Sequence, residues 1–171
     1  VYCRSKDEVN NQQQYNTGLN PSSGSVTNFY YDTEKPYSKV TVPTNGSYVN
    51  SLPTLSGTCE DKGNYPAGLN VNSVKLSIMY QVGANQYYWN PSNGQWVLGT
   101  EIEITATNPE QTSGSSGEKI WTSISTPTWQ NGVEYTIRCW LTDKVNNDNR
   151  NTGRDHTITF VYDSAEPDSQ I

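Results

Sequence analysis

Internal repetition constrains this chain more than any other feature, because a block that recurs at a fixed spacing marks one structural unit placed more than once. Phe29-Tyr30-Tyr31-Asp32-Thr33-Glu34-Lys35-Pro36-Tyr37-Ser38 returns as Phe160-Val161-Tyr162-Asp163-Ser164-Ala165-Glu166-Pro167-Asp168-Ser169, 131 residues further on, with Phe, Tyr, Asp, Pro and Ser in identical places. Cys3 to Asn11 likewise matches Cys139 to Asn147 at Cys, Asp, Val and both Asn, at an offset of 136. The difference between the offsets falls between the two matched blocks, where a hairpin tip changes length. The 171 residues are therefore expected to divide into the closing hairpin of one unit (1–31), a complete unit (32–163) and the start of a third (164–171). A lone hairpin, with strand candidates Tyr2–Lys6 and Ser25–Tyr31, is marginal in water. It needs the rest of its own unit or a neighbouring subunit that accepts its strands by edge addition.

Within the complete unit, Val74, Leu76, Ile78 and Tyr80 alternate with Lys75, Ser77 and Met79. Tyr135, Ile137, Cys139 and Leu141 do the same against Thr136, Arg138 and Trp140. This is the period-two pattern of strands with one buried face. Ser38–Val42, Thr54–Glu60, Gln86–Asn90, Trp96–Leu98, Glu101–Thr107, Lys119–Ser125 and Thr157–Tyr162 are further candidates. Asn45-Gly46, Lys62-Gly63-Asn64, Asn93-Gly94 and Asn131-Gly132 supply turns between them. β-Branched residues, Gly and Pro interrupt every window long enough for a helix. The Ser- and Gly-rich stretch Gln111–Gly117 reads as a flexible loop. Seven to nine strands at this spacing predict an all-β, two-sheet antiparallel sandwich.

Composition narrows the function. Seventeen acidic residues against eleven basic ones give a net charge of −6, which excludes nucleic acid as an expected partner, since phosphate binding needs clustered Lys and Arg. No apolar stretch approaches the roughly 18 residues of a membrane span, so membrane insertion is not expected. About a third of the chain is Asn, Ser or Thr, a surface chemistry suited to a secreted β-protein. His156 is the only histidine, and no Ser or Cys stands in a catalytic spacing to it. Glu101 and Glu103 share one strand face and read as a solvated face rather than an acid/base pair. The expectation is a chain that is no enzyme and requires no cofactor.

Several motifs resemble the bacterial immunoglobulin-like domains that are strung in tandem through large secreted and cell-surface proteins. Asp32-Thr33-Glu34-Lys35-Pro36 is similar to that family's linker, and Leu55-Ser56-Gly57-Thr58-Cys59-Glu60-Asp61 to its second strand. Tyr135-Thr136-Ile137-Arg138-Cys139-Trp140-Leu141-Thr142-Asp143, followed by Asn147, is similar to its penultimate strand and loop. Tyr88-Trp89-Asn90 to Gln95-Trp96 is similar to one of its hairpins. Asn146 departs from the pattern where Gly is common. The resemblance implies an extracellular structural repeat of a stalk, fibre or filament, adhesin-like, whose partners are neighbouring units of the same protein and other copies in a fibre. A carbohydrate-binding module, or an accessory domain of a secreted hydrolase, is the alternative.

Three groups of residues follow from that architecture. Cys59 and Cys139 fall on the inward parity of strands that face each other, in the manner of the inter-sheet bridge of immunoglobulin domains; a bond between them, or two buried thiols, remains open. Cys3 occupies the place of Cys139 in the preceding unit. The linker and the loops after the second and sixth strands share one pole, which gathers Asp32, Asp61 and Asp143 with Asn146 or Asn147. Oxygen ligands from three segments suit Ca²⁺, though Asp in such loops also caps turns. Tyr87, Trp89, Trp96 and Trp140 form either a platform for glycan rings or packing surface. Trp140 points outward and marks a contact face.

Overall fold

The computed structural model describes residues 29–151 and 156–168. The chain divides into two units after Tyr31, and the body below belongs to the second. Residues 1–28 lie outside the described residues, and with them Cys3, Tyr2–Lys6 and most of Ser25–Tyr31. The last three residues of that candidate, Phe29–Tyr31, are exposed and not in a strand.

Among the described residues there is no helix and there are ten strands: β1 (Tyr37–Val42), β2 (Ser47–Val49), β3 (Ser56–Glu60), β4 (Val74–Val82), β5 (Asn85–Asn90), β6 (Gln95–Leu98), β7 (Ile104–Thr105), β8 (Lys119–Thr122), β9 (Val133–Leu141) and β10 (His156–Tyr162). They form two sheets, β1-β3-β8 and β2-β10-β9-β4-β5-β6, with β7 paired to the start of β4. All pairings are antiparallel except β2 with β10. The chain thus changes sheet between β1 and β2, across the cis Val42–Pro43 peptide.

The period-two pattern sets the core. Val74, Leu76 and Ile78 of β4, Tyr135, Ile137, Cys139 and Leu141 of β9, and Ile158 and Phe160 of β10 all lie within 2% of complete burial. In register they stack directly, Leu76 beside Cys139 and Ile78 beside Ile137. From the smaller sheet, Val40, Cys59 and Trp121 complete the layer. Trp121 is fully buried because β3 carries Gly57 directly opposite it: a Cβ there would stand 1.9 Å from the Lys39 carbonyl and 2.4 Å from the Trp121 ring.

Three readings of the sequence are decided or amended here. The Cys59–Cys139 bridge is absent, and both residues are separate buried thiols. Burial, with Cys139 close by, pushes the Cys59 thiol up to about 12, and thiol–disulfide exchange needs the thiolate. Trp140, expected as an exposed contact, is only 2% exposed. The Arg150 guanidinium covers its ring at 4.3 Å and that of Arg138 lies at 5.5 Å. Both arginines pair with Glu101, so Glu101 and Glu103, expected as a solvated face, are part of an ion-pair lattice that includes Lys75.

His156 ties the sheets together where β1 leaves β3. Its Nδ1 accepts the Val40 N–H at 3.1 Å, which requires the neutral ring. Burial, with Lys39 nearby, lowers its pKa below 6.5. Since the unfolded chain takes up the proton more readily, this contribution is complete above pH about 6.5 and is lost as the pH falls towards the folded pKa. Melting temperatures between pH 7 and 5 check this. His156→Asn keeps an acceptor but does not titrate, so its profile will fall less on the acid side than that of the native chain, and parallel profiles would contradict the latch.

Candidate metal centre

Asp32 enters from the linker, Asp61 follows β3, and Asp143 follows β9. One carboxylate oxygen from each lies within 4.8 Å of the others. Local chemistry fixes each side chain. Asp32 Oδ1 accepts the Glu34 N–H, closing a turn in the linker, and its Oδ2 accepts the Ala67 N–H at 2.6 Å. Asp143 Oδ1 accepts the N–H groups of Val145 and Asn147, both at 2.8 Å, the capping role expected of Asp in a loop. Asn146 takes a left-handed conformation with φ 69°, so asparagine fills the backbone role that glycine would otherwise fill. Asn147 acts through its amide N–H groups, donating to Asp143 Oδ2 and to the Asp32 carbonyl. It braces the carboxylates rather than extending them.

Asp61 is different, because capping does not account for it. The side chain is fully buried, and Oδ2 accepts the Gly68 N–H at 2.7 Å. Oδ1 is buried with no hydrogen-bond partner. Burial first, then the charges of Asp32 and Asp143 working against the Gly68 bond, push the carboxyl up to about 6. Carboxylates this close repel by about 3–4 kcal/mol per pair at an effective dielectric constant of about 20. Of the adjacent lysines, Lys62 pairs with Glu60 and Lys144 with Glu110.

Sequence reasoning missed what holds Asp61 in place. Gln111, read as the start of a flexible loop, is fully buried. Its side-chain amide accepts the Asp61 N–H and donates to the Asp61 carbonyl. Backbone bonds join Gln111 and Leu69 in both directions, and Ser113 Oγ donates to the Ala67 carbonyl. The 111–117 segment is therefore pinned beneath the cluster. Gly68 permits the approach, since a Cβ there would lie 2.2 Å from the Gln111 carbonyl.

No protein-family model matches the chain, and no curated protein proves similar to it. The arrangement itself must therefore carry the functional argument. Oxygens sharing one Ca²⁺ at about 2.4 Å lie no more than about 4.8 Å apart, and the three carboxylates fall within that limit. The three side-chain donors are all oxygen, the ligand chemistry that hard cations take.

Three of the four aromatic candidates, Tyr87, Trp89 and Trp96, lie on the β5–β6 hairpin, where Trp89 meets Trp96 at 5.6 Å, and the fourth lies apart from them. Trp140 lies on the outer face under its arginines. Trp89 is in the core at 8% exposure. Tyr87 stacks on Tyr80 at 5.1 Å, and Trp96 on Tyr135 at 5.7 Å. Each of these two rings uses one face on a neighbouring ring.

Proposed function

We propose that the chain is a non-catalytic structural repeat of an extracellular stalk, fibre or filament, in which a divalent cation, Ca²⁺ by its chemistry, stiffens the entry to each unit. The observation that carries this reading is the convergence of a linker carboxylate, Asp32, with two carboxylates of the body, one of them holding a buried oxygen without a partner. A cation there would tie the linker to the sandwich. Pro36 limits rotation in the same segment. The split of the first strand between two sheets, with β2 running parallel to β10, supports an immunoglobulin-like topology. The repeated Asp-Thr/Ser-x-x-Pro linker supports a tandem array.

Small-angle scattering from the full chain, extended after Pro167 by a copy of residues 37–163, tests the reading. With calcium the particle will be extended, with a well-defined maximum dimension. A chelator will broaden and shorten the distance distribution. A freely jointed envelope in both conditions would overturn it.

A further inference from the structure

The two linkers of this chain show opposite halves of one junction. At the entrance, Asp32 is gripped by the body that follows it: its side chain takes the Ala67 N–H and its carbonyl takes the Asn147 amide. At the exit, the linker is gripped by the body that precedes it. Asn131 Oδ1 accepts the N–H groups of Ser164 (2.6 Å) and Ala165 (3.1 Å), and the Ser164 hydroxyl as well. The next residue of the same turn, Gly132, donates to the Tyr162 carbonyl at 2.8 Å, and Asp163 donates to the Val49 carbonyl. The exit is thus fixed from two sides before anything follows it.

The two linkers also share one Asp-closed turn. Asp32 Oδ1 accepts the N–H two residues on at 3.0 Å, and Asp163 Oδ1 does the same at 3.1 Å. Asp163 is therefore already in the turn that Asp32 adopts when its other oxygen reaches the Ala67 N–H. Beside it lies an open depression of about 420 Å³ lined by Tyr48, Asn50, Ser51 and Asp163, and Tyr48 is 74% exposed.

We infer that Asn131 is a positioning residue that aims the exit linker, presenting Asp163 to the body of a second unit of this kind seated against the Tyr48–Ser51 face. Direction is set by the unit that is left, and anchorage by the unit that is entered. The inference rests on the tandem reading above and adds the residue that sets the angle between successive units. Asn131 makes its bonds to the linker backbone rather than to the core, so its removal will affect orientation more than folding.

The test uses the same extended chain, full length through Pro167 and then a second copy of residues 37–163, with NMR relaxation in calcium as the readout. The native form will show both copies tumbling together with one long correlation time. Asn131→Ala will lose that shared tumbling and give two shorter, independent times, while its melting temperature stays at the native value. Asn131→Asp, which keeps the accepting oxygen, will restore it. Shared tumbling that survives in Asn131→Ala would overturn the inference and leave the tandem reading standing. Independent tumbling already in the native form would overturn the tandem reading itself.

Discussion

Alanine in place of Gly57 will lower the melting temperature by about 10 °C, although it adds only one carbon. The new Cβ would stand 1.9 Å from the Lys39 carbonyl oxygen and 2.4 Å from the Trp121 ring. The first is backbone of β1, held in register opposite β3, so no rotamer change relieves it. Overpacking a core typically costs about 1–3 kcal/mol, occasionally more, and a clash against paired backbone belongs at or above the upper end. A domain of this size loses about 2–4 °C per kcal/mol. Trp121→Ala approaches the same contact from the other side. It empties the site of a fully buried indole and removes the Nε1–H bond to the Thr58 carbonyl at 3.2 Å, for about 3–5 kcal/mol. The double variant will not recover stability, because the Lys39 oxygen remains in the way. Thermal melts of the three variants decide this, and a Gly57→Ala melt within a degree or two of native would contradict the packing account.

That pair also shows where the sequence is legible and where it is not. The alternation in 74–80 and 135–141 reports burial directly, because each strand has one wet and one dry face, and the core followed from it. Trp121 had no such signal. Its burial depends on a gap that Gly57 leaves on a neighbouring strand, and strand pairing is not written in local sequence. The three-residue β2 is too short for periodicity to register. The expected strand Glu101–Thr107 contracts to Ile104–Thr105, because the backbone leaves β4 after Ala106 and Thr107 bonds Thr122 of the other sheet instead. At the candidate site, the three aspartates were readable because loop polarity and sandwich connectivity place them at one pole. Gln111 was not, since a Ser- and Gly-rich surrounding says nothing of one amide that satisfies both backbone groups of Asp61.

The strongest test of the metal centre separates two effects of opposite sign in a single variant. Without a cation, Asp61 is a cost. Its folded pKa, about 6 against an ordinary 3.8, means that the penalty is fully present above pH about 6 and vanishes below about 3.8, where the carboxyl is protonated in both states. A shift of that size corresponds to about 3 kcal/mol at neutral pH. Asp61→Asn removes the charge and keeps an oxygen for the Gly68 N–H, while its amide hydrogens can serve Asp32 and Asp143. Its melting temperature in chelator will therefore rise by several degrees above native. With a cation, the order reverses. Ligand at 100 times its dissociation constant stabilises by about 2.7 kcal/mol, so excess calcium will raise the native melting temperature by several degrees and leave Asp61→Asn unmoved. The native response will itself weaken as the pH drops below about 6, because protons compete for the same oxygen. Differential scanning calorimetry in calcium and in chelator measures all of these. A variant that is less stable than native in chelator, or that still responds to calcium, would remove Asp61 from the centre and reduce the three carboxylates to caps on their own loops.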